Sequence, residues 1–444
     1  MPLWRNPIMR ILFTIAATAV LLAPAAFAQA DPLVEEGYIK AFDGQTLDGW
    51  DGDERFWSVV DGAIRGQTTA ETPAPHNTFL LWEGGPMEDF ILRIKFRIES
   101  GNSGIQYRSK HVGDYRVTGY QAEIRDEPGW VGYLYHEMGR GRLVYVGEFS
   151  VIDEEGNVEV VGGVSDTEQI VEEGYYRSGE WNEYVIIAQG DYIRHYINGY
   201  PTIAVIDRDR VTDPTDPADR EGSAREGILA LQIHQGDPMV VEFKDIYVKP
   251  LEADYGGAEL LVDGSLEGWV PNTPDVIDGW AVEDGVLTDA GTPIGYIRTE
   301  AEYTNYALSL QLRHVEPGNS GVLNRIIGED EVWPRSIECQ GQSGHMGDIW
   351  NIDEFPMTVD PDRTEGRRTV KLHDSNEGPI GTWNDYHIIF DGGDLAVYVN
   401  NLLQNYATEC AERPGHIGLQ AEGSAKEFRN IVLVPIGEDG GGAE

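Results

Sequence analysis

The segment Ile91-Leu92-Arg93-Ile94-Lys95-Phe96-Arg97-Ile98 alternates apolar and basic side chains along most of its length. This pattern indicates a β-strand that buries one face and exposes the other. It recurs in Tyr306-Ala307-Leu308-Ser309-Leu310-Gln311-Leu312 and in residues 193–197 and 395–399. The chain also has 53 glycines and no alternation of strands with long helical segments. We therefore predict an all-β fold made of antiparallel jelly-roll β-sandwiches.

A motif that follows the first of these strands occurs twice. Gly101-Asn102-Ser103-Gly104-Ile105 returns as Gly318-Asn319-Ser320-Gly321-Val322, and Trp181-Asn182-Glu183-Tyr184 returns as Trp383-Asn384-Asp385-Tyr386. The repeat predicts two tandem sandwiches, at residues 37–250 and 257–436. The first copy is longer because of two insertions, around residues 153–173 and 207–226. Both are rich in Asp, Glu, Gly and Pro, and we expect them to form surface loops.

The N-terminal residues 1–28 resemble a secretory signal peptide. Arg5 and Arg10 precede or begin the apolar stretch 11–22, and Ala26-Phe27-Ala28 offers a small-residue cleavage site. We expect a secreted or periplasmic protein with no membrane span after cleavage; an uncleaved anchor is the alternative. At the other end, residues 437–444 contain three consecutive glycines and are expected to be a disordered tail.

The composition limits the classes of partner. The formal net charge is -43 and only seven lysines occur, so nucleic acid and acidic polymers are poor candidates. The acidic excess suits either a salty habitat or an ordinary exported protein with solvated acidic loops. Only Cys339 and Cys410 are present, which excludes a disulfide-built scaffold but leaves open one bridge or two buried thiols.

The strand alternation also predicts which polar side chains share an outer face. With Tyr120, Ala122 and Ile124 turned inward, Gln121 and Glu123 turn outward. The same argument puts polar residues of both copies on outer faces: Gln106, Arg108, Gln232 and His234 in the first, and Glu338, Gln340, Gln420 and Glu422 in the second. Glu338 and Gln340 match Gln121 and Glu123 with acid and amide exchanged. Such a mixture of carboxylate, amide, guanidinium and imidazole groups is typical of a sugar site.

Several motifs together resemble those of the 3-keto-disaccharide hydrolase domain family. They are Phe42-Asp43-Gly44, Gly101-Asn102-Ser103-Gly104-Ile105-Gln106-Tyr107-Arg108, Gly119-Tyr120-Gln121-Ala122-Glu123-Ile124 and Trp181-Asn182-Glu183-Tyr184. The resemblance covers nearly all of the chain after the signal segment, twice over. It implies a concanavalin-A-like jelly-roll fold. It also implies a hydrolase or lyase acting on carbohydrates oxidised to a ketone at C3, with a separate sugar 3-dehydrogenase as a partner in the pathway.

A 3-ketone acidifies the hydrogen on C2, so a base can remove it and the group on C1 then departs by β-elimination. Either water adds back or an unsaturated sugar leaves. The reaction needs a general base, an acid near the glycosidic oxygen, and a cation or hydrogen-bond donors for the enediolate. No dinucleotide fingerprint is visible, and no cofactor is firmly expected.

We predict Glu123 as the base, Arg108 as the enolate stabiliser and His136 as the acid. The alternatives are a structural Glu123–Arg108 pair and an ordinary loop histidine at 136, and His234 is a further candidate for the acid. A divalent metal on Glu123, His136 or His234 would also suit the chemistry, although their spacing matches no metal motif.

Further residues are predicted to bind substrate: Gln106, Gln121, Tyr135, Glu137, Gln232 and His234 in the first copy, and Arg325, Glu338, Gln340 and Trp350 in the second. In the second copy Gly347-Asp348-Ile349-Trp350 replaces Gly132-Tyr133-Leu134-Tyr135, and no His-Glu pair follows. This copy therefore has its own specificity or only binds. Trp350 either stacks on a sugar or packs in the core.

Three other functions stay open: a non-catalytic carbohydrate-binding protein, a structural or adhesion module, and a conventional glycosidase with paired carboxylates. We expect most of the recurring tryptophans to be core residues; they are Trp50, Trp57, Trp181, Trp269, Trp280 and Trp383.

Overall fold

The computed structural model describes residues 31–211 and 223–437. The predicted signal peptide, nearly all of the predicted tail and most of the second insertion lie outside these residues.

In the first half, residues 31–211 and 223–250 contain seventeen strands and two short helices. The strands are β1 (Ile39–Lys40), β2 (Trp50–Asp51), β3 (Trp57–Val60), β4 (Ala63–Gln67), β5 (Thr78–Trp82), β6 (Phe90–Ser100), β7 (Asn102–Gly113), β8 (Arg116–Arg125), β9 (Leu134–Glu137), β10 (Gly141–Val144), β11 (Glu148–Ile152), β12 (Val158–Gly163), β13 (Asn182–Gln189), β14 (Tyr192–Ile197), β15 (Tyr200–Asp207), β16 (Ile228–Ile233) and β17 (Val240–Pro250). The helices are α1 (Pro32–Glu35) and α2 (Thr167–Glu172).

In the second half, the described residues up to position 437 form sixteen strands and two single-turn 3₁₀ helices, Val276–Gly279 and Pro361–Arg363. The strands are β18 (Glu259–Leu260), β19 (Trp269–Pro271), β20 (Trp280–Glu283), β21 (Val286–Asp289), β22 (Gly295–Thr299), β23 (Tyr306–His314), β24 (Gly321–Ile327), β25 (Arg335–Gln340), β26 (Ile349–Ile352), β27 (Thr364–Glu365), β28 (Arg368–Thr369), β29 (Asn384–Asp391), β30 (Asp394–Val399), β31 (Leu402–Ala407), β32 (His416–Ala421) and β33 (Lys426–Pro435).

Each half forms two sheets. In the first half the sheet β12-β11-β15-β14-β13-β6-β17-β4-β3, with β1 on β17, faces the sheet β10-β9-β8-β7-β16-β5-β2. In the second half β20-β21-β33-β23-β29-β30-β31, with β18 on β33, faces β19-β22-β32-β24-β25-β26-β28-β27. All pairings are antiparallel except that of β11 with β15. The predicted all-β sandwich fold is confirmed.

Each sandwich encloses its own apolar core. In the first, Leu92, Ile94 and Phe96 of β6 pack against side chains of the facing sheet such as Ile105 and Tyr120. In the second, Leu308, Leu310 and Leu312 of β23 do the same with Val322 and Ile337. The alternation read from the sequence is therefore the alternation between core and outer face.

The first insertion is not a surface loop. It supplies β12 and α2, and the carbonyl oxygens of the last residue of β12 and of the residue after it accept hydrogen bonds from the second sandwich. Asn430 Nδ2 donates to Gly163 O over 2.9 Å, and Arg429 Nη2 and Gln311 Nε2 donate to Val164 O over 2.8 and 3.1 Å. The polar composition predicted exposure, but the backbone acceptors of this segment are used to join the two sandwiches.

The sandwiches meet through the sheets that contain β14 and β23. A shared apolar cluster unites Phe149, Tyr192 and Ile206 of the first sandwich with Ala307 and Val432 of the second. Because these two sheets pack against each other, the sheets that contain β8 and β25 become the outermost layers of a four-layer molecule.

Four of the six recurring tryptophans are buried, as expected. The other two, Trp181 and Trp383, are half-buried and lie under cations: Lys244 Nζ is 4.1 Å from the Trp181 ring, and the Arg429 guanidinium is 4.2 Å from the Trp383 ring. Cys339 and Cys410 are both buried free thiols. None of the helices in the described ranges is long and apolar enough to cross a membrane.

Candidate functional site

Polar side chains of four adjacent strands meet on the outermost sheet of the first sandwich. We call this surface the first site face and define it by Asn77, Gln106, Gln121, Glu123, Tyr133, Tyr135, Glu137, Gln232 and His234. The strand register pairs Gln106 with Gln121 and Gln121 with Tyr135, so their side chains leave the sheet on the same side. Seven of the predicted site residues therefore do come together.

Each residue of the Asn-Ser-Gly motif has a separate part in positioning this face. Asn102 Nδ2 donates to Glu123 Oε1 over 2.6 Å, and Ser103 Oγ turns inward to donate to Gln232 O over 2.7 Å. Gly104 leaves room for the side chain of Gln121, since a Cβ at position 104 would lie closer than 3.0 Å to it. The motif thus fixes one carboxylate, one neighbouring strand and one amide.

A continuous hydrogen-bonded chain links two carboxylates across the face. Gln121 Nε2 donates to Glu123 Oε2 over 2.8 Å, and Gln121 Oε1 accepts from Gln106 Nε2 over 2.6 Å and from Gln232 Nε2 over 2.9 Å. Gln232 Nε2 also approaches Glu137 Oε2 at 3.5 Å. The amides hold both carboxylates in defined orientations.

Glu123 is 2% exposed, and burial raises its pKa above the ordinary glutamate value. Hydrogen bonds from Gln121, Asn102 and Tyr133 oppose that rise, as does the charge of Arg125, whose Nε lies 3.9 Å from Glu123 Oε1. A carboxylate with a raised pKa and a fixed orientation is suited to take up a proton near neutral pH.

Glu137 lies at the other end of the hydrogen-bonded chain. It accepts from Asn77 Nδ2 over 2.9 Å, and burial again raises its pKa, with the charge of His234 acting in the opposite direction. His234 is partly exposed, and its Nδ1 lies 2.6 Å from Gln235 O. The face therefore offers a second group able to exchange protons.

One edge of the first site face carries a cation on aromatic rings. Arg142 pairs in register with Tyr135, and its guanidinium lies 5.1 Å from the Trp130 ring, 5.7 Å from Tyr133 and 4.5 Å from Tyr145. These cation–π contacts hold the exposed positive charge of Arg142 beside the first site face, although the chain as a whole is strongly acidic.

Arg108 does not lie on this face, and its predicted role is wrong. Its backbone is left-handed (φ 44°) and the pairing register shifts beyond Tyr107, so the alternation fails there. The guanidinium is 1% exposed and donates to Asp89 Oδ1, Glu88 O and Gly190 O. These three hydrogen bonds hold the sandwich together, and the guanidinium is bonded to Asp89 rather than to Glu123.

His136 also lies away from Glu123. It pairs in register with Tyr120, whose ring it meets edge-on at 5.8 Å, while its neighbours Tyr135 and Glu137 point to the other side. Its Nδ1 accepts from Arg140 N over 3.2 Å. Arg108 and His136 do line a common cavity of about 330 Å³, together with Lys110, His111 and Glu226, but this cavity is separate from the first site face.

The residues suggested for a metal do not converge. His136 and Glu123 leave opposite faces of the sheet, and within residues 31–211 and 223–437 no three His, Cys, Asp or Glu side chains are grouped to hold an ion. The donor set named from the sequence does not fit a divalent cation.

The second sandwich carries the matching surface, with acid and amide exchanged as predicted. Gly321 pairs with Gln340, and Glu338 with Trp350, which repeats the register of Gly104 with Glu123 and of Gln121 with Tyr135. We define the second site face by Asn319, Glu338, Gln340, Trp350, Gln420 and Glu422. Trp350 is partly exposed on this face rather than packed in the core.

Glu338 has the most perturbed carboxyl group of this face. It is 5% exposed, and burial, followed by the charge of Glu422, raises its pKa to about 8, while Arg367 acts in the opposite direction. Glu422 accepts from Asn319 Nδ2 over 2.5 Å, and burial raises its pKa as well.

Arg325 is not on the second site face. It has the left-handed backbone of Arg108 (φ 51°) and donates to the carbonyl oxygens of Thr304, Gly392 and Ala411. The two arginines are matched structural residues of the repeat, and the prediction of substrate binding by Arg325 is wrong.

Sequence reasoning missed Asn77 and Tyr133 as parts of the first site face, and Asn102 and Arg142 as residues that contact or border it. The sequence could have indicated Asn102, because this residue lies in the repeated motif and alternates with Gly104 and Gln106. Tyr133 likewise alternates with Tyr135. Asn77 lies directly before β5 and Arg142 lies on the edge strand β10, and no sequence pattern marks either residue.

Comparison with known proteins agrees with this architecture. The family model described as the 3-keto-alpha-glucoside-1,2-lyase-like domain matches residues 37–249 and 257–434. Among curated proteins no sequence matches the chain.

Similar solved structures each cover less than half of the chain. A proposed glycosyl hydrolase from Parabacteroides distasonis is 21% identical over 41% of this chain and 94% of its own, with a TM-score of 0.32. The carbohydrate-binding module CBM66 from Bacillus subtilis is 14% identical over 45% and 95% (TM-score 0.28). A β-glucanase from Bacillus licheniformis is 9% identical over 42% and 99% (TM-score 0.31). Likenesses this weak say nothing of the chemistry.

The family match covers most of the chain in two consecutive segments, and each segment carries its own site face. The chain therefore belongs to the 3-keto-alpha-glucoside-1,2-lyase-like domain family, and it is a carbohydrate-acting protein built from two copies of that domain.

Proposed function

We propose that the first sandwich cleaves glycosides of 3-keto sugars by β-elimination, with Glu123 as the general base. The observation that carries the proposal is the state of Glu123: a nearly fully buried carboxylate, with its pKa raised by burial and both oxygens held by amides, on the outer face of a carbohydrate-acting fold.

In the first step Glu123 takes the proton from C2 of the sugar, and the electron pair of that C–H bond forms the enediolate with the C3 ketone. The bond from C1 to the glycosidic oxygen then breaks, which leaves a C1=C2 double bond and restores the ketone. The departing oxygen takes a proton, for which Glu137 is the proposed donor. Water added across the double bond gives the free 3-keto sugar, and without it the product is an unsaturated sugar.

Charge on the enediolate oxygen needs a nearby donor. Arg125 and Arg142 replace Arg108 in this role, because both lie along the Glu123 edge of the face. Tyr133, which is hydrogen-bonded to Glu123, is proposed to keep the carboxylate aimed at the substrate.

The substitution Glu123→Gln keeps the size of the side chain and removes the base. We expect the cleavage of 3-keto-trehalose and 3-keto-cellobiose to fall by about 10²- to 10⁴-fold, the usual contribution of a general base. In the unmodified protein the rate is expected to rise with pH through a pKa above the ordinary glutamate range, since the base acts deprotonated. Released monosaccharide is the measured quantity.

Glu83→Gln is the matched control, because Glu83 is exposed and lies outside the first site face. The unoxidised disaccharides are expected to stay intact in all samples. Equal rates for Glu123→Gln and Glu83→Gln would exclude Glu123 as the base. Binding of sugars without any cleavage by the unmodified protein would favour the alternative, a non-catalytic carbohydrate-binding protein.

We also propose that the protein is exported and that a separate sugar 3-dehydrogenase supplies its substrate. The proposal of export rests on the signal-like sequence of residues 1–28. The proposal of a separate dehydrogenase rests on the chemistry, because the elimination does not itself form the ketone.

A further inference from the structure

The second site face differs from the first at the positions that carry the chemistry. Glu338 takes the place of Gln121, Gln340 that of Glu123, Leu323 that of Gln106, and Glu422 that of His234. As a result, Gln420 Nε2 and the Glu338 carboxyl lack hydrogen-bond partners of the kind that Gln232 Nε2 and the Glu123 carboxyl have in the first sandwich.

Several buried polar atoms of the second site face have no hydrogen-bond partner within the part of the chain that the structure describes. Two of them, Gln420 Oε1 and Asn319 Oδ1, correspond to Gln232 Oε1 and Asn102 Oδ1, which are unpaired in the first sandwich as well. Gln420 is 1% exposed, and neither its Oε1 nor its Nε2 makes a hydrogen bond; in Asn319 the buried Oδ1 is likewise unpaired. Among the described residues none donates a hydrogen bond to the Glu338 carboxyl. Buried polar atoms are nearly always satisfied, so a group outside the protein chain is expected to complete them.

We propose that the second site face is a separate sugar site, which holds a neutral, unoxidised glycoside and does not cleave 3-keto sugars. Binding at this face does not depend on cleavage by the first sandwich.

The chemistry of the unpaired atoms selects the ligand. Gln420 Oε1, Asn319 Oδ1 and the Glu422 carboxylate are hydrogen-bond acceptors, whereas the unpaired Gln420 Nε2 is a donor. A sugar hydroxyl both donates and accepts and can serve all of these atoms, whereas a ketone oxygen only accepts and can serve Gln420 Nε2 alone. The face therefore prefers a sugar that keeps its hydroxyl at C3.

Two further features fit a neutral sugar. The Glu422 carboxylate would repel an anionic ligand, and Glu338, which stays protonated below its pKa of about 8, adds no positive charge. Of the nearby cations, Lys426 is paired with Asp289, and Arg367 lies 5.2 Å from the Trp350 ring. Trp350 stands beside Glu338 in the strand register and offers a partly exposed aromatic surface to the apolar side of a pyranose.

Cleavage of 3-keto sugars is not expected here, because the position of the base is occupied by an amide. Gln340 Oε1 accepts a hydrogen bond from Gln342 N over 2.9 Å, and a glutamine does not take up a proton near neutral pH. Ile352 stands where the first sandwich has Glu137, so the proposed acid is missing as well.

The two faces are also separate in space. They belong to the outermost sheets of the four-layer molecule, and the sheets between them bury the shared apolar cluster. One sugar residue cannot contact both faces, so the two sites are expected to bind independently.

The test uses the full-length protein with Glu123→Gln, so that 3-keto sugars are not consumed during titration. Cellobiose, trehalose and their 3-keto forms are titrated by calorimetry. For binding at the second site face, defined as the binding that Gln420→Ala weakens, we expect an unoxidised disaccharide to bind at least about fivefold more tightly than its 3-keto form, because the ketone loses one hydrogen bond. Adding Gln420→Ala is expected to weaken that binding about tenfold.

Glu283→Gln, an exposed substitution on another sheet, is the control for binding. Gln232→Ala is the matched change in the first sandwich, and it is expected to lower cleavage of 3-keto substrates instead. If Gln420→Ala does not fold, as judged by circular dichroism, Trp350→Ala takes its place. Unaltered affinity for the unoxidised disaccharide in the folded variant, tighter binding of the 3-keto form that the variant also weakens, or no binding of the unoxidised disaccharide would each overturn the proposal, whatever the outcome of the cleavage assay. Binding of the 3-keto form that the variant leaves unchanged belongs to the first site face.

Discussion

An exchange of acid and amide distinguishes the centres of the two site faces. Glu123 and Gln340 occupy equivalent places beside Gly104 and Gly321, yet one is an acid and the other an amide. Around Glu123 the amides of Asn102 and Gln121 donate to both carboxylate oxygens. Around Glu338, Leu323 replaces the glutamine that would have completed the network. The neighbouring side chains therefore determine whether each carboxyl group is hydrogen-bonded and how its pKa shifts.

The pKa of Glu338 gives a prediction about stability. Its folded value of about 8 lies above the ordinary value of 4.5, so between these values the folded state holds a proton that the unfolded state has lost. The free energy of unfolding of the second sandwich is therefore expected to fall as the pH rises from 4.5 to 8. The loss is at most about 4 kcal/mol.

Glu338→Gln cannot lose a proton and is expected to abolish most of this dependence. Its melting temperature should exceed that of the unmodified protein at pH 9 and approach it below pH 4.5, as measured by calorimetry at both values. Glu283→Gln, which is exposed, should follow the unmodified protein. A pH dependence that persists unchanged in Glu338→Gln would show that the buried carboxyl group is not its source.

At the scale of the strands, the Asn-Ser-Gly motif acts where β7 lies between β8 and β16. Ser103 and Ser320 bind the carbonyl groups of Gln232 and Gln420 on the neighbouring strand. Gly104 and Gly321 leave space for the side chains of Gln121 and Glu338. The motif therefore sets the strand spacing and the site geometry together, which explains its presence in both copies.

Gly104→Ala is expected to push Gln121 off its position and to break its hydrogen bonds to Glu123 and Gln232. Overpacking of this kind usually lowers the free energy of unfolding by about 1–3 kcal/mol. The cleavage rate of 3-keto substrates is expected to fall even under conditions in which the variant stays folded, because Gln121 no longer holds Glu123. Chemical denaturation and the cleavage rate measure the two effects. Gly257→Ala is the control, because its Cβ would meet no atom closer than 3.6 Å. Full activity of Gly104→Ala would contradict the role of Gln121.

At the scale of the whole molecule, the first insertion and the apolar cluster make the two sandwiches one unit. The acceptors Gly163 O and Val164 O are bound by Asn430, Arg429 and Gln311. Val432 is fully buried within the same contact. The arrangement fixes the two site faces in opposite directions, so that a long glycan, rather than a single sugar, would be needed to reach both.

Val432→Asp would place an unpaired charge in this contact, at a cost of several kcal/mol. We expect the single calorimetric transition of the unmodified protein to split into two and the radius of gyration in solution scattering to increase. Val160→Asp is the control, since Val160 in β12 is 55% exposed. One unsplit transition in Val432→Asp would mean that the sandwiches are not coupled through this cluster.

The sequence by itself determined the all-β fold, the tandem repeat and most of the first site face. Strand alternation is a local property, so the outward direction of Gln121, Glu123, Glu338 and Gln340 could be read from their neighbours in the chain. The same rule failed at Arg108 and Arg325, where a left-handed residue interrupts the alternation and turns the side chain into the sandwich.

Only the tertiary structure decided which groups meet across strands. The chain from Glu123 through Gln121 and Gln232 to Glu137 joins three strands, and the first insertion becomes an interface because acceptors of one half find donors of the other. The pKa values of Glu123 and Glu338 also depend on burial by distant segments. Alternation is encoded locally, whereas register, burial and partners depend on the whole folded chain.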